Sequence, residues 1–294
     1  MCPRSGEIVA LLNCDDYFDH GIVAAFATRS GGVSRGHFAG ANISFSVGDD
    51  PAAVRANRAG VLGAAGLTGL PVVTLRQVHG GRCVPVGPAG PAGPEAPDPG
   101  GSRARSGTLL PAGDRLPEGD PLPVPGLPAG DRLSAPPLAA ADAMVTRTPG
   151  IALMIGTADC LPVLLADPVA RCVGALHVGW RGLLAGVVEA GVAALLAMGA
   201  VSGRTAAWLG PSICSRCYPA GRERRRAMAR RYPEAVTEAG TFDLLAGVTA
   251  VLARAGVHRV RAVGGCTRED PERWFSRRRD GRTGAHAALV ALLR

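Results

Sequence analysis

Apolar and polar residues alternate in some parts of the chain and follow a helical spacing in others. Residues 21–47 and 71–80 alternate in the manner of short strands, and the second segment ends at His79 and a glycine. Residues 49–66, DDPAAVRANRAGVLGAAG, have the spacing of a helix that begins at an aspartate cap and ends at Gly66. The first third of the chain therefore predicts short strands around one helix.

The chain after residue 140 contains short apolar runs separated by longer amphipathic segments. Strands are predicted over 151–156, 161–166, 171–178, 205–214 and 258–265. Helices are predicted from residue 179 to about 198, over 241–257 and over 284–293. Helices that cover a mixed sheet indicate a layered α/β fold, and we expect residues 1–294 to form a single catalytic domain.

Residues 87–137 differ in composition from both flanks. They consist mainly of proline, glycine, alanine and aspartate, and they cannot bury enough apolar surface to offset the entropy of ordering. Glycine does not recur at every third position, which excludes a collagen helix. We expect a disordered insertion within the domain, and a linker between domains is the alternative.

The amino-acid composition indicates what forms the core and how the surface is charged. The 294-residue chain is 47% hydrophobic but only 4% aromatic, so its core is expected to consist of alanine, valine and leucine. The formal net charge is +8, and all 32 basic residues are arginines. Arginines cluster at 221–231 and at 277–282. The first cluster is interpreted as a solvated helix surface, and a nucleic-acid interface is the less favoured alternative.

We expect neither a signal peptide nor a membrane span in this sequence. Its first twenty residues contain acids where a signal peptide needs an apolar core. The most apolar segment, 183–197, is too short to cross a membrane and contains Glu189. We therefore expect a cytoplasmic protein whose eight cysteines are reduced. Cysteine near histidine then indicates metal binding or nucleophilic chemistry rather than disulfides.

Three side chains share one position relative to the predicted strands. His79, Cys160 and His177 each lie at or near a strand end, beside a glycine or a tight corner, where side chains can converge at one edge of a sheet. Two imidazoles and a thiolate suit a divalent first-row metal, most simply Zn(II), with Cu(II) as the alternative. Three protein ligands leave the fourth tetrahedral position open, as in catalytic zinc sites.

The same side chains admit other interpretations. Isolated histidines and cysteines at strand ends are commonly structural, and Cys160 with His177 as its base would also suit a cysteine hydrolase. Cys214 and Cys217 form a C-x-x-C motif, which is either a redox pair or half of a zinc site. Cys266 follows another predicted strand and is interpreted as a packing residue.

The motif HVGWRG joins a predicted strand to a predicted helix. Gly179 and Gly182 permit a sharp turn there. Arg181 would lie at the start of the helix, where it could bind an anion or form a surface salt bridge. Trp180 would offer a flat face to a nucleobase, or it would pack against the core.

Five motifs occur in this order along the chain: LRQVHGG, TADCLPVLLAD, HVGWRG, LGPSIC..CY and FSRRRDGRTG. The YfiH/YlmD laccase-domain family has the same motifs in the same order, and the chain resembles this family. GGVSRGHF and GDDPAAVRANR also match, so the resemblance covers nearly the whole chain except about 87–137. It implies a single layered α/β domain, similar to cysteine-hydrolase-like toxins.

The resemblance places the metal ligands at His79, Cys160 and His177 and implies a zinc enzyme that acts on purine nucleosides. The implied reactions are phosphorolysis of adenosine, inosine, guanosine and methylthioadenosine, together with deamination of adenosine. The expected partners are these nucleosides and phosphate, and we expect a monomer.

Further site residues follow from the motifs that carry the resemblance. Arg58 and Asn42 are candidates for phosphate and ribose contacts, with Arg181 as an alternative anion contact. Cys160 and Asp159 are the candidate catalytic residues, since Asp159 would either shuttle a proton or brace a ligand.

Four positions depart from the family pattern. Val178 stands where alanine is usual, and Pro219 stands where an acid is common. Arg277 replaces a tyrosine and Ala285 replaces an arginine, so these two alter the C-terminal edge of the expected pocket and with it the substrate preference.

Three other functions are weighed against this one. A copper-dependent polyphenol oxidase is the runner-up, but several coppers need many more ligands than the six histidines of the chain. A metal-free cysteine hydrolase is third. A non-enzymatic binding module that uses the insertion and the arginine clusters is fourth.

Overall fold

The structure is a computed structural model, and it describes residues 9–14, 20–87, 122–123, 133 and 137–294. Most of the predicted insertion, residues 87–137, lies outside the described residues. Where the insertion is described, residues 122–123 form a two-residue strand, and the backbone oxygen of Leu133 accepts a hydrogen bond from Arg58.

The described strands form two sheets. In chain order they are β1 (Leu11–Asn13), β2 (Ile22–Ala27), β3 (Val72–Val73), β4 (Cys83–Gly87), β5 (Leu122–Pro123), β6 (Ala143–Thr146), β7 (Ala152–Thr157), β8 (Leu161–Asp167), β9 (Cys172–Val178), β10 (Ala206–Leu209), β11 (Arg259–Ala262) and β12 (His286–Leu292). The five-stranded sheet has the order β1-β2-β12-β7-β3, and the seven-stranded sheet has the order β11-β10-β8-β9-β6-β4-β5. Both contain parallel and antiparallel neighbours, so the predicted mixed sheet is confirmed.

The sheets pack face to face, and helices cover their outer faces. The helices are α1 (Pro51–Ala64), α2 (Trp180–Leu184), α3 (Val187–Ala197), α4 (Arg222–Arg231), α5 (Leu244–Arg254) and α6 (Arg277–Asp280). Alternate side chains of the strands, such as Phe26 and Trp208, form the core between the sheets. Helix α1 covers the five-stranded sheet, while α3 and α5 cover the seven-stranded one. The result is a layered α/β fold.

The first helix follows its sequence signals closely. The side chain of Asp50 accepts a hydrogen bond from the backbone N–H of Ala52 at 2.9 Å, and Pro51 occupies the first turn. The helix predicted from residue 179 to about 198 is instead two helices. Gly186 separates them because its φ of 81° lies in the left-handed region.

Of the strand predicted over 71–80, only Val72–Val73 form a strand, and the last predicted helix is wrong. Residues 284–293 were expected to form a helix, but His286–Leu292 form β12, the central strand of the five-stranded sheet. This strand pairs with β2 and β7, and every residue in it is buried. A strand that is buried on both faces has a continuous apolar sequence, and alanine and leucine give such a run the same appearance as a buried helix.

The interpretation of residues 221–231 as a solvated helix surface is consistent with the structure. In α4, which contains most of these residues, Met228 is the buried residue. No helix within the described part of the chain is both long enough and apolar enough to cross a membrane.

We expect the free energy of unfolding to decrease as the pH is lowered, because His286 is fully buried beside Thr157. Burial lowers the pKa of His286 to about 3, below the ordinary value of 6.5. Between these values the unfolded chain binds a proton that the folded protein does not, so the group removes about 1.4 kcal/mol of stability per pH unit as pH falls. Denaturant unfolding between pH 6 and 4 should show a shallower pH dependence for His286→Gln than for wild type. The exposed His258→Gln is the control, and equal slopes in all three proteins would contradict this assignment.

Candidate functional site

Three side chains that are distant in sequence meet at one end of the sheets. His79 lies in the loop between β3 and β4, Cys160 in the corner between β7 and β8, and His177 near the end of β9. Strands β8 and β9 are antiparallel neighbours with Pro162 opposite His177, which brings Cys160 to that histidine. The ligand atoms of all three side chains lie within 4.8 Å of one another. The three side chains therefore converge, although His79 lies in a loop six residues beyond the end of β3 rather than at a strand end.

The backbone around this cluster is shaped to let the side chains approach. His79 has a φ of 61° and Asp159 a φ of 99°, both in the left-handed region that non-glycine residues rarely adopt. A Cβ on Gly179 would lie 2.9 Å from the sulfur of Cys160 and 3.2 Å from the ring of His79. The glycine of HVGWRG is therefore needed because a side chain there would enter the cluster.

The buried carboxylate of Asp142 binds both the ring of His177 and the backbone of the loop that carries His79. Oδ1 of Asp142 lies 2.8 Å from Nδ1 of His177 and accepts a hydrogen bond from the backbone N–H of His79 at 2.9 Å. Oδ2 accepts from the N–H groups of Gly80 and Val78. Because an ionised carboxylate only accepts hydrogen bonds, Nδ1 of His177 carries a hydrogen, and Nε2 is the ring nitrogen left to face the cluster.

The electrostatics favour ionised forms of these groups. Burial opposes ionisation of Asp142, but hydrogen bonds from His177, Gly80 and His79 hold the pKa of its carboxyl below the ordinary value. Burial also opposes the Cys160 thiolate, but the charge and hydrogen bond of His177, assisted by His79, lower the thiol pKa to about 6. Burial disfavours the His177 cation, yet Cys160 and Asp142 raise its pKa to about 9. A thiolate at neutral pH suits either a metal ligand or a nucleophile.

The donor set and its spacing fit a tetrahedral metal. Zn–N bonds near 2.0 Å and Zn–S bonds near 2.3 Å place neighbouring ligand atoms about 3.3–3.6 Å apart. The observed separations, all within 4.8 Å, need only small side-chain adjustments to reach that geometry. The carboxylate behind His177 is the partner that metal-bound histidines usually have. The group can therefore hold a metal ion through three ligands.

A cavity of about 770 Å³ opens beside the cluster, and His79, Cys160 and His177 line it. This volume lies within the usual range for small-molecule sites. Its wall also includes Phe45 and Arg58, with the guanidinium of Arg58 lying 4.6 Å above the Phe45 ring. An aromatic ring and a positive charge therefore line the same cavity as the cluster.

Arg58 and Asn42 occupy different positions relative to this cavity. Arg58 is buried in its wall and donates to the backbone oxygens of Ile43 and Leu133 at 2.9 and 2.7 Å. Asn42 is fully buried, is not among the residues that line the cavity, and holds the adjacent loop. Its side chain accepts from the N–H groups of Ser44 and Ala285 and donates to Asp49.

The remaining two predicted site residues lie outside the cavity wall. Oδ1 of Asp159 accepts from the hydroxyl of Thr267 at 2.7 Å, and Oδ2 accepts from the N–H of Arg278 at 2.6 Å. These hydrogen bonds hold the side chain of Asp159 in place, which suits a residue that stabilises the corner carrying Cys160. Arg181 is exposed, and its guanidinium stacks on Trp180 at 4.5 Å.

The departures from the family motifs fall partly on the cavity. Arg277 and Ala285 line it, so both substitutions change its wall directly. Gln77 also lines it and ties the His79 loop to β7 through two hydrogen bonds with Gly156. Sequence analysis did not identify Asp142 or Phe45, because single polar or aromatic residues outside recognisable motifs give no local signal. Gln77 lies within LRQVHGG but was not singled out, because its role depends on hydrogen bonds to a residue 79 positions away.

Comparisons with known proteins identify related chains. Residues 23–293 match the family described as "Multi-copper polyphenol oxidoreductase laccase". A Streptomyces coelicolor protein named purine nucleoside phosphorylase is 38% identical over 271 residues, which is 91% of this chain and 94% of that protein.

Solved structures show the same fold. A Neisseria meningitidis protein has a TM-score of 0.72 at 31% identity, and the match covers 97% of this chain and 99% of that one. The YfiH protein of Bacillus licheniformis has a TM-score of 0.75 at 24% identity, with 98% of each chain covered.

Proposed function

We propose that this chain, which belongs to the multi-copper polyphenol oxidoreductase laccase family, is a zinc-dependent purine nucleoside phosphorylase. The substrates are adenosine, inosine, guanosine and methylthioadenosine, and the same site deaminates adenosine. The observation that carries the proposal is the convergence of His79, Cys160 and His177 on a cavity large enough for a nucleoside. The names of its relatives support the reaction class.

The ligand set favours zinc over a group of coppers. His79, Cys160 and His177 would hold the ion, and in such sites zinc supplies Lewis-acid polarisation of an oxygen atom. Cu(II) suits the same three donors. Oxidation of phenols by several coppers would need further histidines, and only two of the six lie in this cluster.

The cavity suits a reaction that depends on positioning. Phosphorolysis breaks the bond between C1′ of the ribose and the base nitrogen, leaving the electron pair on the base, and forms a bond from C1′ to a phosphate oxygen. Phe45 lines the cavity and would contact the purine, and Arg58, whose guanidinium stacks on the Phe45 ring, would supply charge for the phosphate. Fixing both reactants in one cavity lowers the barrier, and charge stabilisation adds to that effect.

A second candidate, a metal-free cysteine hydrolase, rests on one specific observation. Cys160, His177 and Asp142 are arranged as nucleophile, base and orienting acid, with Nδ1 of His177 at 2.8 Å from the carboxylate. Removing metal with a chelator separates the two hypotheses. The hydrolase would keep its activity, whereas the phosphorylase would lose it.

Product analysis tests the proposed function. With phosphate, purified protein should convert inosine to hypoxanthine and ribose 1-phosphate, and adenosine to adenine. Without phosphate, adenosine should yield inosine only. Chromatography separates all of these products. Absence of phosphate-dependent base release from all four nucleosides would contradict the phosphorylase, and absence of inosine from adenosine would contradict the deaminase.

A pair of arginine variants tests the position of the phosphate. Arg58→Met should raise the KM for phosphate by about tenfold or more, because a charged hydrogen-bond donor near the anion is lost. Arg181→Met removes the same charge from a side chain that is not part of the cavity wall, and it should leave that KM unchanged. The opposite pattern would move the phosphate to the HVGWRG turn.

A further inference from the structure

We propose that Cys214, Cys217, Cys266 and Glu269 form a second metal site, which binds a structural zinc ion. The three sulfur atoms and a carboxylate oxygen lie within 4.8 Å of one another. The group shares no residue with the His79–Cys160–His177 cluster. Three thiolates and one carboxylate make a complete tetrahedral set, which is typical of a closed structural site rather than an open catalytic one.

The fold brings these residues together through parallel pairing of β10 and β11. Neighbouring parallel strands end at the same edge of a sheet, so the loops that follow them lie side by side. Cys214 and Cys217 lie in the loop after β10, while Cys266 and Glu269 lie in the loop after β11. A backbone bridge between Ser212 and Cys266 fixes the two loops against each other.

The distances agree with tetrahedral coordination. Zn–S bonds near 2.3 Å and a Zn–O bond near 2.0 Å place sulfur and oxygen about 3.5 Å apart. In the structure, Oε1 of Glu269 lies 3.6 Å from Sγ of Cys214 and 3.5 Å from Sγ of Cys217. The C-x-x-C turn, closed by a hydrogen bond from the N–H of Cys217 to the oxygen of Cys214, presents both thiols on one side.

Outer contacts also suit a metal site. The N–H of Cys214 donates to the sulfur of Cys266 at 3.3 Å, so this thiolate already has a backbone partner. Arg216 contacts both oxygens of Glu269 and reaches Oε2 at 3.0 Å, which orients the carboxylate with Oε1 toward the sulfur atoms. Metal-binding carboxylates generally have such a hydrogen-bonded support. All three cysteines are free thiols in the structure.

The second site also reaches the catalytic cluster through Asp159. The N–H of Ile213 donates to the backbone oxygen of Asp159 at 2.9 Å, and the hydroxyl of Thr267 donates to its carboxylate at 2.7 Å. Each of these residues is adjacent in sequence to a proposed ligand. A metal ion that joins the two loops would therefore hold the corner that carries Cys160, a consequence that rests on the proposed function.

Metal content tests the second site independently of activity. Protein purified without added metal should contain about two zinc ions per chain, and both Cys160→Ser and Cys217→Ser should contain about one. Cys83→Ser, at a thiol outside both clusters, should retain both ions. After replacement of zinc by cobalt, Cys160→Ser should keep strong thiolate-to-cobalt absorption and Cys217→Ser should lose most of it.

Two results would overturn the second site. One is a single ion in wild type that disappears in Cys160→Ser and remains in Cys217→Ser. The other is a protein, purified without oxidant, whose mass shows a disulfide among Cys214, Cys217 and Cys266. If Cys217→Ser does not fold, the exposed Glu269→Gln replaces it. That variant should release one ion to a chelator at least about tenfold faster than wild type, and an unchanged rate would contradict ligation by Glu269.

Discussion

Replacing Cys160 by serine is expected to lower kcat/KM for inosine phosphorolysis by on the order of a thousandfold or more. A serine hydroxyl is a poor zinc ligand at neutral pH, so the variant should also contain about one zinc ion less per chain than wild type. Steady-state kinetics and elemental analysis of the same preparation measure both effects. Loss of activity with unchanged zinc content would instead support a nucleophilic thiol.

Cys83→Ser is the matched control for this variant. Cys83 is a half-buried thiol in β4, and burial raises its pKa to about 12, so it is neither a ready ligand nor a nucleophile. Its replacement should leave the zinc content and kcat/KM close to wild type. A comparable loss in this control would show that the effect of Cys160→Ser is a general loss of folding.

Asp142→Asn is expected to weaken zinc binding by about 10–100-fold and to lower kcat/KM by a similar factor. The side-chain oxygen of the asparagine can still accept from His177. Its NH₂ group would then face the N–H groups of Gly80 and Val78, which donate to the carboxylate in the wild type, so two donors would meet without an acceptor. The loop that carries His79 loses its anchor as a result. Competition with a chromogenic chelator measures the affinity, and wild-type affinity would contradict a positioning role for Asp142.

Asp167→Asn separates this effect from a loss of stability. Asp167 is also fully buried, and it accepts hydrogen bonds from the N–H groups of Val169, Ala170 and Val201 and from Arg204. Its replacement should lower the free energy of unfolding by about 1–3 kcal/mol, as expected when a buried hydrogen-bonding group loses its partners. Zinc affinity should remain at the wild-type value, because this residue is at the opposite end of β8 from Cys160.

The sequence predicted local features of the fold better than long-range ones. The cap of α1 and the β8–β9 pair depend on neighbouring residues, and both agree with the pattern of apolar positions. Strand β12 was assigned as a helix because its partners, β2 and β7, lie far away in the sequence. Its burial on two faces comes from the seven-stranded sheet on one side and from α1 on the other, and a single apolar run contains no information about either.

The same distinction applies to the site. His79, Cys160 and His177 stood out because each follows an apolar run, and their convergence needed only the ends of strands to meet. Asp142 had no comparable signal, since its role depends on accepting hydrogen bonds from residues more than thirty positions away. Cys266 was interpreted as a packing residue, and it does pack against the core. Its approach to Cys214 and Cys217 could not be predicted, because the parallel pairing of β10 and β11 cannot be deduced from either segment alone.

The most direct test of the central claim is zinc removal and restoration on the wild-type protein. Phosphate-dependent release of hypoxanthine from inosine should disappear when a chelator removes the metal, and it should return as zinc is added back. Circular dichroism on the same samples shows whether the fold persists. A metal-free protein that cleaves inosine at the full rate would contradict the assignment of His79, Cys160 and His177 as ligands of a required ion.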